Sequence, residues 1–463
     1  MIDIARDIFT KLALPAIEDF IRNPAQSPNF EPDWKKKGDL RRACEQAVAW
    51  AKALVPDGTF EVIEDEGRTP VVLVDIPSTG FRAGDAGVFF YGHFDKQPPS
   101  AGWDEGLAAF TPVVRDGRLY GRGSCDDGFA FYCAIAALLA ARKAGNSHPR
   151  ITGLFETREE SGSDDYPHYL EKMKGRFGRV GTVFVLDSSA NDYDNLWVTS
   201  SLRGIIAATL RVKTLSYPVH SGMFSGMLPD AYLVAQALLA RVADLRTGNV
   251  LLPAFAREVT PTERQLLADA VEVLGGKLFE RKILAEGVEP LYPDALEAAM
   301  QNVFGASLCV IGAEGLPGIS RAGNALCPEA SLRLSIRVPA LVDLRAAYAA
   351  LEEALTKGAP FGAEVTLENP SLQSGWSMAL KPSPELARLK DAAQAVFGQP
   401  ARFMGIGASI PIVYNFEAAF PSAVCILTGV EGPGSNAHGP NESLVLDYTA
   451  RLVAALALYL SER

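Results

Sequence analysis

The sequence has no Cys-x-x-Cys pair: its six cysteines (Cys44, Cys125, Cys133, Cys309, Cys327 and Cys425) are scattered. That spacing excludes a zinc ribbon and gives no disulfide framework, so free thiols in or near the core are expected. Nor does any apolar run approach the ~20 residues of a membrane helix. The run Leu452 to Leu460 is short and flanked by Asp447 and Glu462. Basic stripes are missing too. Beyond Lys35 to Lys37, lysine and arginine are dispersed in a chain of net charge -11, which argues against nucleic acid as a partner. The N-terminus mixes Asp3, Arg6, Asp7 and Lys11 with apolar residues, an amphipathic helix and not the basic start and apolar core of a secretory signal. A soluble, cytoplasmic protein is expected. Histidine is scarce, only five in all, so the places where those five fall carry information.

What is present is hydrophobic content of 48% over 463 residues, enough to bury a large core and too much chain for one ordinary domain. Ile4, Ile8 and Leu12, then Leu40, Cys44, Val48, Ala51 and Val55, recur at helical spacing. Phe60 to Ile63, Val71 to Ile76 and Val88 to Tyr91 read as strands bounded by Gly, Pro and Asp. Asp116-Gly117 between apolar flanks predicts a hairpin, because both residues tolerate positive φ. Gly128 to Ala144 predicts a buried helix, and Ile151 to Phe155 and Val183 to Leu186 two further strands. From about Gly204 the texture changes, with Ile205 to Val212, helical runs near Asp230 to Val242 and Pro261 to Leu274, and Ser331 to Val338. After Pro370 the first texture resumes, with a helix from Pro384 to Phe397, a strand from Ala423 to Thr428 and a closing helix to Leu460. The expected organisation is one domain in two segments, 1–203 and 374–463, interrupted by an inserted domain, 204–373.

Chemistry gathers where the apolar runs end. The strand Ile151 to Phe155 leads to the adjacent carboxylates Glu159 and Glu160. Alone, such a pair is a solvated acidic turn; at the mouth of a strand the two repel, unless a cation or a proton separates their roles. His93, Asp126, Glu160, Asp187 and His438 each follow an apolar segment or a glycine-rich turn, and all are ligand types suited to zinc or a similar divalent ion. Five such ligands exceed one tetrahedral site. If one carboxylate bridges, they supply two metals with three protein ligands each. His148 and His168 lie among Ser, Pro and Tyr with no motif around them and are expected at the surface. Cys125, beside Asp126, has no base at a recognisable spacing and is read as packing.

In order along the chain, Gly92-His93-Phe94-Asp95, Gly121-Arg122-Gly123 with Asp126, Glu159-Glu160-Ser161-Gly162-Ser163, Asp187, His220-Ser221-Gly222 and Asn436-Ala437-His438 resemble the motifs of the M20 metallopeptidases, with the carnosinase-like dipeptidase branch nearest in flavour. The resemblance implies an α/β, phosphorylase/hydrolase-like catalytic domain. A central mixed sheet would be flanked by helices, with an inserted α+β lid or dimerisation domain. It implies His93 and Asp187 on one metal, Glu160 and His438 on the other, and Asp126 bridging. The two ions would be zinc, with manganese or cobalt as alternatives. Glu159 would be the general base acting on a water shared by the ions, and Asp95 would hold the imidazole of His93. His220 would reach across a homodimer to the oxyanion. Arg337 resembles the arginine that grips a substrate carboxylate, with Asn324 and Ser409 at weaker positions. The peptide bond Asp126-Asp127 would be cis. The family often has Lys-Gly where this chain has Gly128-Phe129, a departure at the start of the helix. The implied reaction is amide hydrolysis in dipeptides or short peptides. A deacylase of N-acyl-amino acids, or an inactive binding protein on the same scaffold, are the alternatives.

Overall fold

The computed structural model describes residues 1–81, 84–275, 284–378, 382–410 and 412–461. The chain divides into two units: Met1–Thr199 with Ala379–Met404 and Ile412–Arg463, and Ser200–Met378 with Gly405–Pro411.

The first unit begins with α1 (Ile2–Ile8), a π-helical stretch at Phe9–Ala13, α2 (Leu14–Arg22) and α3 (Asp39–Leu54). Ala5, Ile8, Phe9, Ala13, Ile17, Phe20 and Ile21 are buried, so the helical repeat lays one apolar stripe on the core. Next come β1 (Thr59–Ile63), β2 (Val71–Ile76), β3 (Gly87–His93) and the hairpin β4 (Val113–Arg115) and β5 (Arg118–Tyr120). Asp116 and Gly117 at its tip have φ of 52° and 73°, the left-handed pair that a two-residue loop needs to match strand twist. Helix α4 (Phe129–Lys143), β6 (Ile151–Glu156), α5 (Tyr166–Phe177), β7 (Val180–Val185) and β8 (Trp197–Leu202) complete this segment.

The second unit holds β9 (Gly204–Lys213), β10 (Val219–His220), α6 (Ala231–Leu239), α7 (Pro261–Leu274), α8 (Ala295–Phe304), β11 (Ser307–Glu314), β12 (Ala325–Leu326), β13 (Glu329–Val338), α9 (Leu344–Thr356) and β14 (Glu364–Gln373). Its antiparallel sheet runs β11-β13-β9-β14. Burial alternates along β9 and β13, as a sheet covered on one face requires. Ile206, Leu210, Leu334 and Ile336 meet Leu238 of α6 and Leu351 of α9 in one apolar cluster.

The chain returns to the first unit with α10 (Pro384–Phe397), α11 (Val413–Ala419), β15 (Val424–Leu427), β16 (Ser443–Val445) and α12 (Leu446–Leu460). The large mixed sheet is ordered β1-β2-β6-β3-β7-β15-β8. It is parallel through β6, β3, β7 and β15 and antiparallel at either side. Parallel strands bury both faces. Neighbouring Phe89 and Phe90 accordingly point opposite ways: Phe89 meets Phe177, Phe416 and Phe420, while Phe90 stacks on Phe184 at 5.3 Å. Each such ring contributes about 1.5–3 kcal/mol by leaving water.

Two surface and thiol expectations need correction. His148 is fully buried and His168 is exposed. His148 Nε2 accepts from Arg142 Nε at 3.0 Å and its Nδ1 lies 2.9 Å from Pro149 O, so both ring nitrogens are satisfied without water. All six cysteines are free, but Cys309 on the edge strand β11 is exposed and Cys327 is half-buried.

Candidate metal centre

Three adjacent parallel strands, β6, β3 and β7, end at one edge of the large sheet, the edge where open α/β sheets build sites. His93 is the last residue of β3 and is buried. Glu159 and Glu160 open a single 3-10 turn, Glu159–Ser161, just past β6. Asp187 lies two residues past β7. Asp126 arrives on the turn before α4, where Asp126-Asp127 is cis, and His438 on the loop before β16.

These side chains fall into two groups, His93 with Glu159 and Asp187, and Asp126 with Glu160 and His438, each with ligand atoms within 4.8 Å of one another. Asp126 joins them. Its Oδ1 is 3.2 Å from His93 Nε2 and its Oδ2 is 2.9 Å from His438 Nε2. Glu160 Oε2 stands 3.3 Å from His438 Nε2, and Asp187 Oδ2 3.9 Å from His93 Nε2. Four carboxylates so close must share protons or cations. Burial pushes Asp187 up to about 7, with the charges of Asp126 and Glu160 adding to it. Burial and the neighbouring Asp187 and Glu160 raise Glu159 as well. Conversely, Asp126 and Glu160 lift the His438 imidazole to about 11. Asp126 lies below its ordinary value: burial opposes ionisation, but hydrogen bonds from both histidines outweigh it. A divalent cation in each group would neutralise the same carboxylates while leaving the imidazoles neutral. The donor set therefore fits two such ions, one in each group.

The surroundings hold these side chains in place. The buried carboxylate of Asp95 accepts from the backbone N–H groups of Glu159 at 3.1 Å and Glu160 at 3.0 Å. Its Oδ1 lies 3.3 Å from His93 Nδ1, which is closer, at 3.0 Å, to the Asp95 main-chain carbonyl. Asp95 thus fixes the Glu-Glu turn as well as the imidazole. Asp127 Oδ2 accepts from His93 N at 3.2 Å, and Gly92 leaves room for it: a Cβ there would come within 2.6 Å of that oxygen. Gln97 donates to Glu160 Oε2 at 2.7 Å. At Gly128, where the family often has lysine, a Cβ would lie 2.0 Å from the ring of Phe20. Lys96 runs through the same region, and its buried Nζ donates to the carbonyls of Phe20, Ile21 and Asn23 at the end of α2. Cys125 is buried against Ser435 and Glu442, and burial raises its thiol well above the ordinary range, in keeping with a packing role.

The remaining sequence-derived residues lie in the second unit. His220 ends β10 and is exposed; it pairs with Ala325, and Ser221 N donates to Asn324 O at 2.9 Å, so His220 and Asn324 share one short ladder. Half-buried Arg337 donates from Nη1 to Ser409 Oγ at 2.8 Å, and that hydroxyl donates to Arg203 O at 2.5 Å. Arg203 escaped the sequence reading. Only 7% exposed, it donates to Gly407 O, Gly305 O and Ser307 Oγ. Among the described residues neither arginine has a carboxylate within ion-pair distance. Burial and Arg337 lower Arg203 to about 10.

A mixed α/β sheet carrying paired carboxylate and histidine clusters at its parallel strand ends defines a metal-dependent hydrolase. The chain belongs to Peptidase family M20/M25/M40, whose model matches residues 89–462, and it is a metallopeptidase of that family. It is similar to the Cysteinylglycine-S-conjugate dipeptidase of Corynebacterium striatum, 28% identical over 413 residues that cover 86% of each chain. The Beta-Ala-His dipeptidase of Homo sapiens is 28% identical over 400 residues, 81% of this chain and 74% of that one. Human carnosine dipeptidase 1 shares the fold with a TM-score of 0.77 at 22% identity, over 99% of this chain and 98% of the other.

Proposed function

We propose that the chain hydrolyses the amide bond of dipeptides or short peptides at a centre of two divalent cations, with Glu159 as general base. The observation that carries this reading is Asp126, whose two oxygens face His93 and His438 separately. His93 and Asp187 would hold one ion, Glu160 and His438 the other, and Asp126 both. The ions, zinc in this reading with manganese or cobalt as alternatives, would acidify a water and polarise the scissile carbonyl. Glu159 sits among these ligands with its backbone pinned by Asp95, so its carboxylate is free to take the proton of the attacking water and return it to the leaving amine. That transfer needs a carboxylate of raised proton affinity, and the burial of Glu159 acts in that direction.

Arg337 is assigned to the substrate carboxylate, a planar fork with no carboxylate partner of its own among the described residues, and Ser409 to its orientation. Asn324 is a further candidate for substrate contact. His220 would donate to the developing oxyanion from a second copy of the chain. A homodimer through the inserted domain is supported by the edge strand β11, where Val310 and Ile311 are exposed, and by Ile319, 96% exposed. Cytoplasmic residence completes the reading. No helix among the described residues is long and apolar enough to cross a membrane.

A panel of free dipeptides set against N-acyl-amino acids, each with zinc, manganese or cobalt, tests the proposal. Cleavage of dipeptides in preference to acyl-amino acids is expected. Turnover of acyl-amino acids alone would assign the site to deacylation, and turnover of neither would remove the catalytic reading. Sedimentation of active enzyme as monomer only would remove the trans role of His220.

A further inference from the structure

The geometry points to Arg122 and Glu442 as a positioning pair that ties two ligand-bearing loops to the segment leaving β3, a role that rests on the two-ion reading of the centre. Their side chains are 1% and 0% exposed, with Arg122 Nη1 2.6 Å from Glu442 Oε2. A buried ion pair is weak ground for stability, since apolar residues of similar volume often serve as well or better. What an apolar pair cannot do is hydrogen-bond, and here every arm does so. Arg122 Nε donates to Pro98 O at 3.1 Å, and Nη2 to Ser100 Oγ at 3.1 Å and Gly439 O at 3.0 Å. The second oxygen of Glu442 accepts from Gly123 N at 2.9 Å and Cys125 N at 3.3 Å.

Each contact falls on a segment that carries a ligand. Pro98 and Ser100 follow His93 and Asp95; Gly123 and Cys125 lead into Asp126; Gly439 follows His438. Ser100 Oγ closes the circuit by donating to His438 O at 3.2 Å. One guanidinium fork and one carboxylate thus tie the loops that carry Asp126 and His438 to the segment that leaves β3 just past His93, and so set how the two oxygens of Asp126 face the two histidines. Neither residue reaches the reacting atoms; they act through the loops.

The test uses Co²⁺ alone as probe, read by equilibrium dialysis and by the visible absorption of bound cobalt, with full-length metal-free protein. Three variants separate position from stability. Glu442→Gln keeps the shape and removes the charge, Arg122→Lys keeps a charge and removes the fork, and the double variant Arg122→Met/Glu442→Leu removes both charges. Wild type is expected to take up two Co²⁺. Each variant should bind at least about 10-fold more weakly, the scale of losing an outer partner of a metal ligand, with a changed visible band. The double variant should regain the unfolding temperature lost by Glu442→Gln without regaining Co²⁺ affinity. If Glu442→Gln does not fold, Arg122→Lys and the double variant decide. Any folded variant that binds two Co²⁺ with wild-type affinity and spectrum overturns the positioning role. Wild-type protein that binds no Co²⁺ overturns the two-ion reading itself.

Discussion

Asp95→Asn changes one buried oxygen to an amide nitrogen with almost no change in shape. In the native protein the two carboxylate oxygens each accept a main-chain N–H, from Glu159 at 3.1 Å and Glu160 at 3.0 Å. Asparagine can accept one of these and must turn an NH₂ toward the other. One charge-assisted hydrogen bond is lost, worth about 1.5–3 kcal/mol, and a buried N–H is left without an acceptor, so a total cost of about 2–4 kcal/mol is expected. The imidazole should suffer less than the turn, because the main-chain carbonyl of Asp95 at 3.0 Å from His93 Nδ1 is unaffected by the substitution. Metal affinity should therefore fall only about 10-fold, the low end for an outer partner. The drop in kcat should be larger, about 100-fold, because Glu159 loses its fixed position. Urea unfolding of the metal-free protein gives the first quantity, Co²⁺ titration the second and dipeptide turnover at saturating metal the third. A variant with wild-type unfolding and wild-type kcat would refute the claim that Asp95 holds the Glu159-Glu160 turn.

The adjacent glutamates should separate by readout. Glu160→Gln is expected to lose metal content at sub-stoichiometric supply, while Glu159→Gln keeps it and loses at least about 100-fold in kcat, as removal of a general base does. Metal analysis beside turnover distinguishes the two. In the metal-free protein, stability should fall as pH rises from about 5 to 8. Asp187, raised to about 7, and Glu156, raised to about 8 by burial, keep protons in the folded state that the unfolded state has released, and His438, raised to about 11, does the same above its ordinary value. Excess zinc should flatten that slope, because ligation displaces the protons; a metal-free unfolding temperature that is level or rising over this range contradicts the sign. Arg203→Met should raise KM for free dipeptides about 10-fold and alter kcat little, because it removes the guanidinium that holds Gly407 O, two residues before the Ser409 that accepts from Arg337, while the main-chain carbonyl of residue 203 remains. Unchanged KM would detach Arg203 from substrate binding.

The ends of strands were the legible part of this chain. His93, Glu160 and Asp187 each follow an apolar run that the sequence marks as a strand, and β3, β6 and β7 prove to be parallel neighbours. The Asp116-Gly117 hairpin was legible for the same reason, since its signal is local. What could not be read was anything set by long-range closure. Arg122 meets Glu442 across more than three hundred residues, and Lys96 meets α2 across more than seventy. Glu442 does lie four residues past His438, yet nothing in Gly439-Pro440-Asn441-Glu442 marks its carboxylate as turned inward. His148 was misplaced because its partners, Arg142 and Pro149, satisfy it within its own turn of chain, and a histidine among Ser and Pro reads as solvent-exposed.

Titration of metal-free enzyme with zinc, following both bound metal and hydrolysis of a cleaved dipeptide, tests the central claim most directly. Two ions sharing Asp126 predict that turnover stays low through the first equivalent and rises with the second, to a plateau at two per chain. Full activity at one equivalent, or activity that survives complete removal of metal, would contradict the account.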